Sequence, residues 1–267
     1  MRIEIDFTKG IRENAESYYA LSKKAKKKLL GLEKGTKEIS RKMAIEASKK
    51  GKEIKAVKKR ERRWFEKYHW FFTGEGFLVV AGRDAKSNEV VVKKLMDKND
   101  VYFHADIHGA PHTILKTEGR KPGKDSLAQA AVFAAVFSKA WEQKLPSVDV
   151  YSARPEQVSK SAPTGESIGT GAFMIYGERE WYKKTPLSLS IGFKQTDGAL
   201  ELFSGPPQTV EKKADFSMRL SFGDMPKGEG AKRLLGIFRS KLGKNAQITI
   251  DDVIALLPNG GIAFSLQ

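Results

Sequence analysis

Residues 11–69 carry twenty basic and eight acidic side chains, so under a quarter of the chain holds +12 of its formal net charge of +16. Residues 11–33 lack proline and space their apolar side chains roughly as a helix does, which predicts a first helix ending near residues 31–35. A second helical pattern runs from residue 36 to about residue 70. Two helices joined by a short glycine-containing turn favour a basic antiparallel helical hairpin, a coiled-coil arm over residues 1–60. A solvated pair of surface helices is the alternative.

Composition narrows the class of protein. The 267 residues, 40% of them hydrophobic, are enough for one large domain or two small ones with a proper core. The chain has no cysteine, which excludes disulfides, thiolate metal sites and cysteine nucleophiles. Its first residues do not read as a secretory signal and no apolar run is long enough for a membrane helix, so we expect a cytoplasmic protein. The positive charge indicates a polyanionic partner.

Beyond the basic arm the pattern changes to short β-type runs at residues 77–82, 89–93 and 101–104, separated by turn residues. An alanine-rich helix is predicted at residues 125–144 and should pack against the resulting sheet. We therefore predict the α+β class, with a mixed β-sheet domain and a packed central helix over residues 61–195. Residues 196–267 are predicted to be a C-terminal extension or subdomain.

The densest polar cluster is YFHADIHGAPH, in which His104, Asp106 and His108 recur every second residue and would share one face of a strand. Imidazole and carboxylate groups can bind zinc or iron, with His112 as a possible fourth ligand. The cluster matches neither the helical HExxH motif nor a zinc-finger pattern. We prefer the interpretation that these side chains make structural hydrogen bonds, and we predict no metal and no cofactor.

Two further clusters contain groups that can contact phosphate. Arg83, Asp84 and Asn88 follow an apolar strand, where they are either ordinary turn residues or an arginine placed to pair with phosphate or stack on a base. Ser159, Lys160 and Gly165 lie in a loop rich in hydroxyl groups and glycine, which is either a phosphate-binding surface or a plain flexible loop. The Walker A pattern is absent, which argues against an NTPase.

A run of basic residues precedes an aromatic segment at residues 64–72. Lysine and arginine beside aromatic rings suit RNA, but aromatics this closely spaced are more often core residues. We assign the aromatics to packing and the basic side chains to RNA binding. The basic residues are Lys58, Lys59, Arg60, Arg62 and Arg63.

Four segments, in this order, resemble the NFACT-R domain of the NFACT family over roughly residues 60–185. They are RRWFEKYHWFFTGEGFLVVAGRDAKSNEVVVKK, DVYFHADIHGAPHTILK, an alanine-rich helix ending SKAW, and VSKSAPTGESIGTGAFMIYGERE. The preceding segment, with ENAESYY followed by a lysine run, resembles the family's coiled coil. From SGPPQTVEKK onward the chain resembles the extension of archaeal and eukaryotic members.

The resemblance implies an RNA-binding module of ribosome-associated quality control that recognises obstructed large subunits carrying peptidyl-tRNA. The implied partners are the large ribosomal subunit and tRNA, without a membrane and without an enzymatic activity of this chain. Positions that match the family's motifs are expected to line one RNA-binding face. They are Arg83, Asp84, Asn88, His104, Asp106, His108, Ser159, Lys160 and Gly165.

Full-length family members place an NFACT-N module and a helix-hairpin-helix segment before the coiled coil. We expect this chain to lack both, as a C-terminal fragment or a natural shortened homologue, and a separate NFACT-N-containing protein is a further candidate partner. Two other hypotheses are kept. One is a metal-dependent hydrolase centred on His104, Asp106 and His108, and the other is a protein-interaction adhesin, suggested by the fibronectin-binding name of some family members.

Overall fold

The computed structural model describes residues 5–49, 58–59, 62–161, 168–196, 199–243 and 246–264. The chain divides into two compact units, Met1–Ile54 and Lys55–Gln267, and each is described by itself. None of the described helices is long and apolar enough to cross a membrane.

The first unit contains one continuous helix, α1, at Ile11–Lys49. The predicted antiparallel hairpin with a turn near residues 31–35 is therefore wrong. The segment has no proline and is rich in Ala, Leu, Lys and Glu, and each glycine costs a helix only about 1 kcal/mol, so helical structure continues through both Gly31 and Gly35. Thr36 lies inside this helix, where its hydroxyl donates to the carbonyl oxygen of Leu32 at 2.6 Å, instead of capping a second helix.

The helical prediction also fails close to the start of the sheet domain. Residues Trp64–Lys67 form a 3-10 turn, and His69–Phe72 form a strand. Trp70 and Phe71 are both buried, but in two different hydrophobic clusters. Neighbouring residues that point into opposite clusters require the two-residue period of a strand, which a helix cannot provide.

The second unit contains both strands and helices. The strands are β1 Lys58–Lys59, β2 His69–Phe72, β3 Leu78–Ala81, β4 Val101–Ala105, β5 Thr113–Lys116, β6 Ser147–Ala153, β7 Val158–Ser159, β8 Met174–Ile175, β9 Glu180–Pro186, β10 Leu189–Thr196, β11 Ala199–Gly205, β12 Phe216–Met225 and β13 Ile262–Phe264. The helices are α2 Ala85–Val90, α3 Lys124–Val136, α4 Lys139–Glu142, α5 Pro207–Lys213, α6 Lys227–Leu242 and α7 Ile250–Ile254.

The strands form two main sheets and one small ribbon. The first sheet has six strands in the order β2-β3-β5-β4-β6-β9, and all its neighbours are antiparallel. The second has five strands in the order β1-β11-β10-β12-β13, of which only the β1–β11 pair is parallel. Strands β7 and β8 pair with each other. The predicted α+β class is confirmed, and α3 is the packed central helix, with more than half of its residues buried.

The strand predicted at residues 89–93 is wrong. Helix α2 covers the start of this segment and continues as a π-helical turn at Val91–Leu95. The Asp84 carboxylate accepts a hydrogen bond from the Ser87 backbone N–H at 2.7 Å and so caps the start of α2. The apolar run at Val91 and Val92 is buried against one face of the six-stranded sheet, which explains why it reads as β-type in the sequence.

Two hydrophobic clusters lie on the two faces of the six-stranded sheet. The larger joins Phe103 of β4 and Phe133 of α3 to Ile191 of β10 and Phe238 of α6, so both sheets share it. The smaller contains Tyr102 of β4 together with Val91 and Val92, which directly follow α2. Residues beyond 195 thus contribute directly to the main core, while the predicted division into domain and extension stays a prediction.

Candidate nucleic-acid interface

A cavity of about 550 Å³ opens where β3 and β4 end. The chain has four histidines, and all four line this cavity: His69, His104, His108 and His112. Strand β2 supplies the first and β4 the second, and the turn between β4 and β5 supplies the other two. The remaining walls come from the turn after β3 with Asn88, from the rest of the β4–β5 turn, from Phe137, from the segment 170–173 and from Asn259.

The turn after β3 is held tightly against the β4–β5 connection. The Gly82 N–H donates to the carbonyl oxygen of His112 at 3.1 Å, and the His112 N–H donates to the Asn88 side-chain oxygen at 3.0 Å. A Cβ atom at Gly82 would collide with the Asn88 side chain, so only glycine fits there. Asn88 therefore lines the cavity with its side-chain oxygen already engaged in holding the wall, and its predicted contact with RNA stays a prediction.

Hydrogen bonds on both ring nitrogens define the tautomer of His112. Its Nε2 lies 2.8 Å from the carbonyl oxygen of Gly171, which can only accept, so Nε2 carries the proton. Its Nδ1 is then free to accept from the Tyr102 hydroxyl. Burial is the largest cause that lowers the pKa of His112, and the ring is neutral near pH 7.

Two more histidines are kept neutral by burial. Burial and the nearby His112 lower the pKa of His104 to about 3. Burial, followed by the charges of Arg83 and Lys227, lowers the pKa of His69 well below its usual value. The His69 ring stacks on Phe137 with a centroid separation of 4.0 Å. Near pH 7 these rings therefore present uncharged heteroaromatic surfaces to the cavity.

Two cations approach the His69 end of the cavity. Arg83 lines it and donates through Nη2 to the Tyr68 carbonyl oxygen at 2.9 Å. Lys227 donates to the side-chain oxygen of Asn259, itself a lining residue, at 3.3 Å. Within the part of the chain that the structure describes, neither cation forms an ion pair. Burial lowers the pKa of both groups. Arg62 acts on Arg83 more strongly than the Asp84 carboxylate, which also lines the cavity, and Arg83 acts on Lys227, so an anion here would offset a net positive field.

The predicted triad of His104, Asp106 and His108 does not share a strand face, because β4 ends at Ala105. Asp106 is exposed and its backbone N–H donates to the Asp149 carbonyl oxygen at 2.7 Å, while His104 and His108 turn toward the cavity. Across the described ranges no group of three His, Asp or Glu side chains could hold a metal ion. The geometry gives the hydrolase hypothesis no support.

Lys160 braces the cavity wall. Its ammonium group donates to the Glu89 carboxylate at 2.7 Å and to the carbonyl oxygens of Gly169 and Ala172 at 2.8 and 3.0 Å. The hydrogen bond from Lys160, followed by those from Lys93 and from the Gly171 N–H, lowers the pKa of Glu89 to about 2. All three donors of Lys160 are thus engaged within the protein, and its predicted contact with RNA phosphate stays a prediction.

The other residues of the predicted phosphate loop lie away from the cavity lining or outside the described residues. Ser159 belongs to β7, and its hydroxyl oxygen accepts from the Ser161 N–H at 3.0 Å. Gly165 lies outside the described residues.

The basic run before β2 makes its contacts elsewhere on the second unit. Arg62 pairs with Asp252 at 3.1 Å, and Arg63 pairs with Glu66 at 3.1 Å and also with Glu201. Lys58 and Lys59 form β1, but their side chains and the whole of Arg60 lie outside the described residues. The aromatic side chains that follow are largely core, as predicted, with Phe65 and Trp70 both buried.

Several cavity residues were not predicted from the sequence. His69 lay inside a segment interpreted as helix, and Phe137, Phe173 and Asn259 carried no local signal. The scarcity of histidine was the one usable clue. Four histidines within one stretch of 44 residues, His69 to His112, are compatible with a common site, but their distances from one another depend on the pairing of β2, β3, β4 and β5.

Comparison with known proteins places this cavity in a recognised domain. The family described as "NFACT protein RNA binding domain" matches residues 67–177. The archaeal Rqc2 homolog aRqcH of Methanocaldococcus jannaschii is 40% identical over 209 residues, covering 78% of this chain and 30% of that protein. The ribosome quality control complex subunit NEMF homolog of Drosophila melanogaster is 36% identical, covering 76% and 21%, and NEMF of Homo sapiens is 35% identical, covering 67% and 17%. The chain thus spans less than a third of the length of each of these relatives.

Proposed function

Since the chain belongs to the NFACT family of ribosome quality control proteins through its RNA-binding domain at residues 67–177, we propose that it binds tRNA or large-subunit rRNA on obstructed ribosomal subunits. The role is one of binding, without a catalytic step performed by this chain. The proposed setting is the cytoplasm, on large subunits that carry peptidyl-tRNA, with a separate NFACT-N-containing protein as a further partner.

One observation carries the proposal. Every residue that lines the cavity except Asn259 falls inside the range matched by the RNA-binding family. The same cavity contains Arg83 and is approached by Lys227, two partly buried cations without an ion pair among the described residues. Phosphate groups are the anions that RNA offers, and a guanidinium group can bind phosphate through two parallel hydrogen bonds.

The overall charge supports the same partner. Half or more of a protein's hydrogen bonds to nucleic acid commonly go to phosphate and sugar, and neutralising phosphates releases counterions. A contact made by many of the chain's 48 lysines and arginines should therefore weaken steeply with salt. With several phosphate contacts, affinity is expected to fall by roughly 10³-fold or more between about 50 and 200 mM salt.

The test is co-sedimentation with purified large ribosomal subunits, with and without bound tRNA, as a function of salt. We compare the parent chain with Arg83→Ala and with the matched control Arg233→Ala. Arg233 is exposed and pairs with Glu229 on α6, outside the cavity. We expect Arg83→Ala to weaken binding by about tenfold and to reduce the salt slope by about one, and Arg233→Ala to bind like the parent.

Other results would contradict the assignment. Equal binding by the parent and Arg83→Ala would move the RNA contact away from the cavity, to the basic residues of the first unit. Failure of the parent to bind subunits with or without tRNA would overturn the proposed function for this chain.

A further inference from the structure

We propose that the cavity receives one unstacked nucleotide of the bound RNA, with its base among the histidine and phenylalanine rings and its phosphate at Arg83 and Lys227. This inference rests on the proposed RNA-binding function and deepens it, because it states which part of the RNA the domain recognises. Single-stranded RNA is commonly recognised through bases that are splayed out and stacked on aromatic side chains.

The size and the walls of the cavity suit a nucleotide. Its volume of about 550 Å³ lies in the range of pockets that hold small organic molecules. Phe137 and Phe173 line it and are only partly buried, so their rings are available to a ligand. His69 already stacks on Phe137, and His112 packs edge-on against Phe173 at 5.1 Å. Flat rings at two places in the lining favour a flat ligand.

The electrostatics favour an uncharged ring at the histidines. Burial keeps His104 and His112, whose rings lie 5.1 Å apart, neutral near pH 7, so their end of the cavity holds no imidazolium charge that would attract a phosphate. A neutral imidazole has one donor and one acceptor, and since Tyr102 and Gly171 occupy both in His112, the polar group at this end without a partner among the described residues is Nδ1 of His104. A base at this end therefore places its polar edge against an imidazole nitrogen and its flat face against an aromatic ring.

The cavity also concentrates polar atoms that lack a partner. Six buried side-chain nitrogen or oxygen atoms have no hydrogen-bond partner among the described residues. Three of them belong to residues that line this cavity, namely Nδ1 of His69, Nδ1 of His104 and Nε of Arg83. Native structures retain few such atoms, so three of them at the lining of one cavity are consistent with a site that a polar ligand completes.

The cations lie where the phosphate would be. Both Arg83 and Lys227 lower the pKa of His69, so they are close to its end of the cavity, and Lys227 reaches the lining through Asn259. At the other end, the lysine nearest His112 is Lys160, whose charge is already paired with Glu89 at 2.7 Å. Asp84 also lines the cavity and offsets part of the charge at Arg83, but the charge of Arg62 acts on Arg83 more strongly, so the net positive field lies at this end and orients a nucleotide with its phosphate at Arg83.

The experiment uses the chain's own four imidazoles, because all of them line the cavity. The full chain, with ¹⁵N-labelled histidine, is titrated at millimolar concentration with AMP, UMP and ribose 5-phosphate, and then with hexaadenylate and hexauridylate. We expect AMP or UMP to shift the signals of His104 and His112, at the end assigned to the base, while ribose 5-phosphate does not. We expect the corresponding hexanucleotide to give the same shifts at a concentration at least about tenfold lower, because added phosphate contacts strengthen binding.

Two size-matched variants test the location. Ala172 is an exposed lining residue, and tryptophan at this position should occlude the cavity. Ala128 is exposed on α3 and does not line the cavity. Ala172→Trp should abolish the histidine shifts caused by the nucleotide, and Ala128→Trp should preserve them.

Each contrary outcome has a distinct meaning. If ribose 5-phosphate shifts the same signals as AMP and UMP, or if no nucleotide or hexanucleotide shifts them, the base is not recognised and the inference is wrong. If mononucleotides bind but hexanucleotides do not, the cavity binds free nucleotides, and the inference that its nucleotide belongs to a bound RNA is wrong. If the parent chain binds ribosomal subunits but its histidine signals do not shift, this inference alone is wrong. If the histidine signals shift but the chain does not bind subunits, the proposed function is wrong.

Discussion

At the scale of single residues, the cavity depends on histidines that are held uncharged. His112 achieves this with a defined tautomer between Tyr102 and Gly171. His104 and His69 achieve it through burial, and each leaves Nδ1 without a partner among the described residues. A histidine that must stay neutral in the folded protein, but titrates normally when unfolded, couples stability to pH.

We predict that stability falls as the pH is lowered. The pKa of His104 is about 3 in the folded protein and about 6.5 when unfolded, so between these values the unfolded chain binds more protons. The free energy of unfolding should therefore decrease as the pH falls from about 6.5 toward 3, by at most about 1.4 kcal/mol per pH unit for this group. Urea unfolding at about pH 7.5, 6 and 5 measures the slope. This range stays above about pH 4.3, the ordinary pKa of a glutamate, below which the stabilisation from Glu89, with its folded pKa of about 2, would begin to fall.

The matched variant is His104→Asn, which cannot titrate in this range. It should unfold with a shallower dependence on pH than the parent, although His69 and His112 will leave part of the slope. An identical slope for parent and variant would mean that His104 is not held neutral in the folded state.

At the scale of secondary-structure elements, α1 is the clearest departure from the expected architecture. Its 39 residues run without a break through Gly31, where a Cβ atom would meet nothing within 4 Å. Several large apolar side chains on this helix are exposed, among them Leu21, Leu29 and Leu30. Its helical propensity is therefore the main determinant of its structure within the described first unit.

Substituting alanine at Gly31 distinguishes a helix from a hairpin turn. In a continuous helix, Gly31→Ala should stabilise by about 0.5–1 kcal/mol, because glycine loses more backbone entropy on becoming helical. The matched control is Gly236→Ala in α6, another glycine with open space at its Cβ position. Far-UV circular dichroism and thermal unfolding should show a gain for both variants. If Gly31→Ala alone lost helicity, the result would contradict the continuous helix and support a hairpin turn at Gly31.

At the scale of the whole second unit, both sheets draw on one hydrophobic core. Leu234 and Phe238 of α6 are fully buried in the same cluster as Phe71 and Val79 of the six-stranded sheet. The indole N–H of Trp141, after α3, donates to the Gly261 carbonyl oxygen at 3.0 Å. A chain that ended near residue 195 would leave much of this core without its cover.

We therefore predict that damage beyond residue 195 destabilises both sheets together. Leu234→Ala should cost about 2–5 kcal/mol, the range for truncating a fully buried leucine. Hydrogen exchange should show faster opening in β3 and β5 as well as in β10 and β12. Leu235→Ala, at a half-buried neighbour on the same helix, should have a smaller effect. Unchanged protection in β3 and β5 would instead make residues 196–267 an independent subdomain.

Sequence patterns were sufficient where a segment's own composition decides its structure. The apolar run before Gly82 predicted β3, and the alanine-rich stretch predicted α3. The quoted NFACT-like segments predicted the family, which the matched range of residues 67–177 confirms. Five of the residues expected to line one RNA-binding face, Arg83, Asp84, Asn88, His104 and His108, lie around the same cavity, while their contact with RNA stays a prediction. These successes share one cause, because turn chemistry and side-chain periodicity are local properties of the chain.

By itself, the sequence determined the α+β class, the basic charge, the family and part of one polar cluster. Tertiary structure alone decided that residues 69–72 are strand and 89–93 helical, since burial on two faces overrides local propensity. It also decided that Asp106 points away while His69, Phe173 and Asn259 join the cavity. The physical reason is that the pairing of β2, β3, β4 and β5 brings together side chains from distant parts of the chain, and their local sequence carries no record of those contacts.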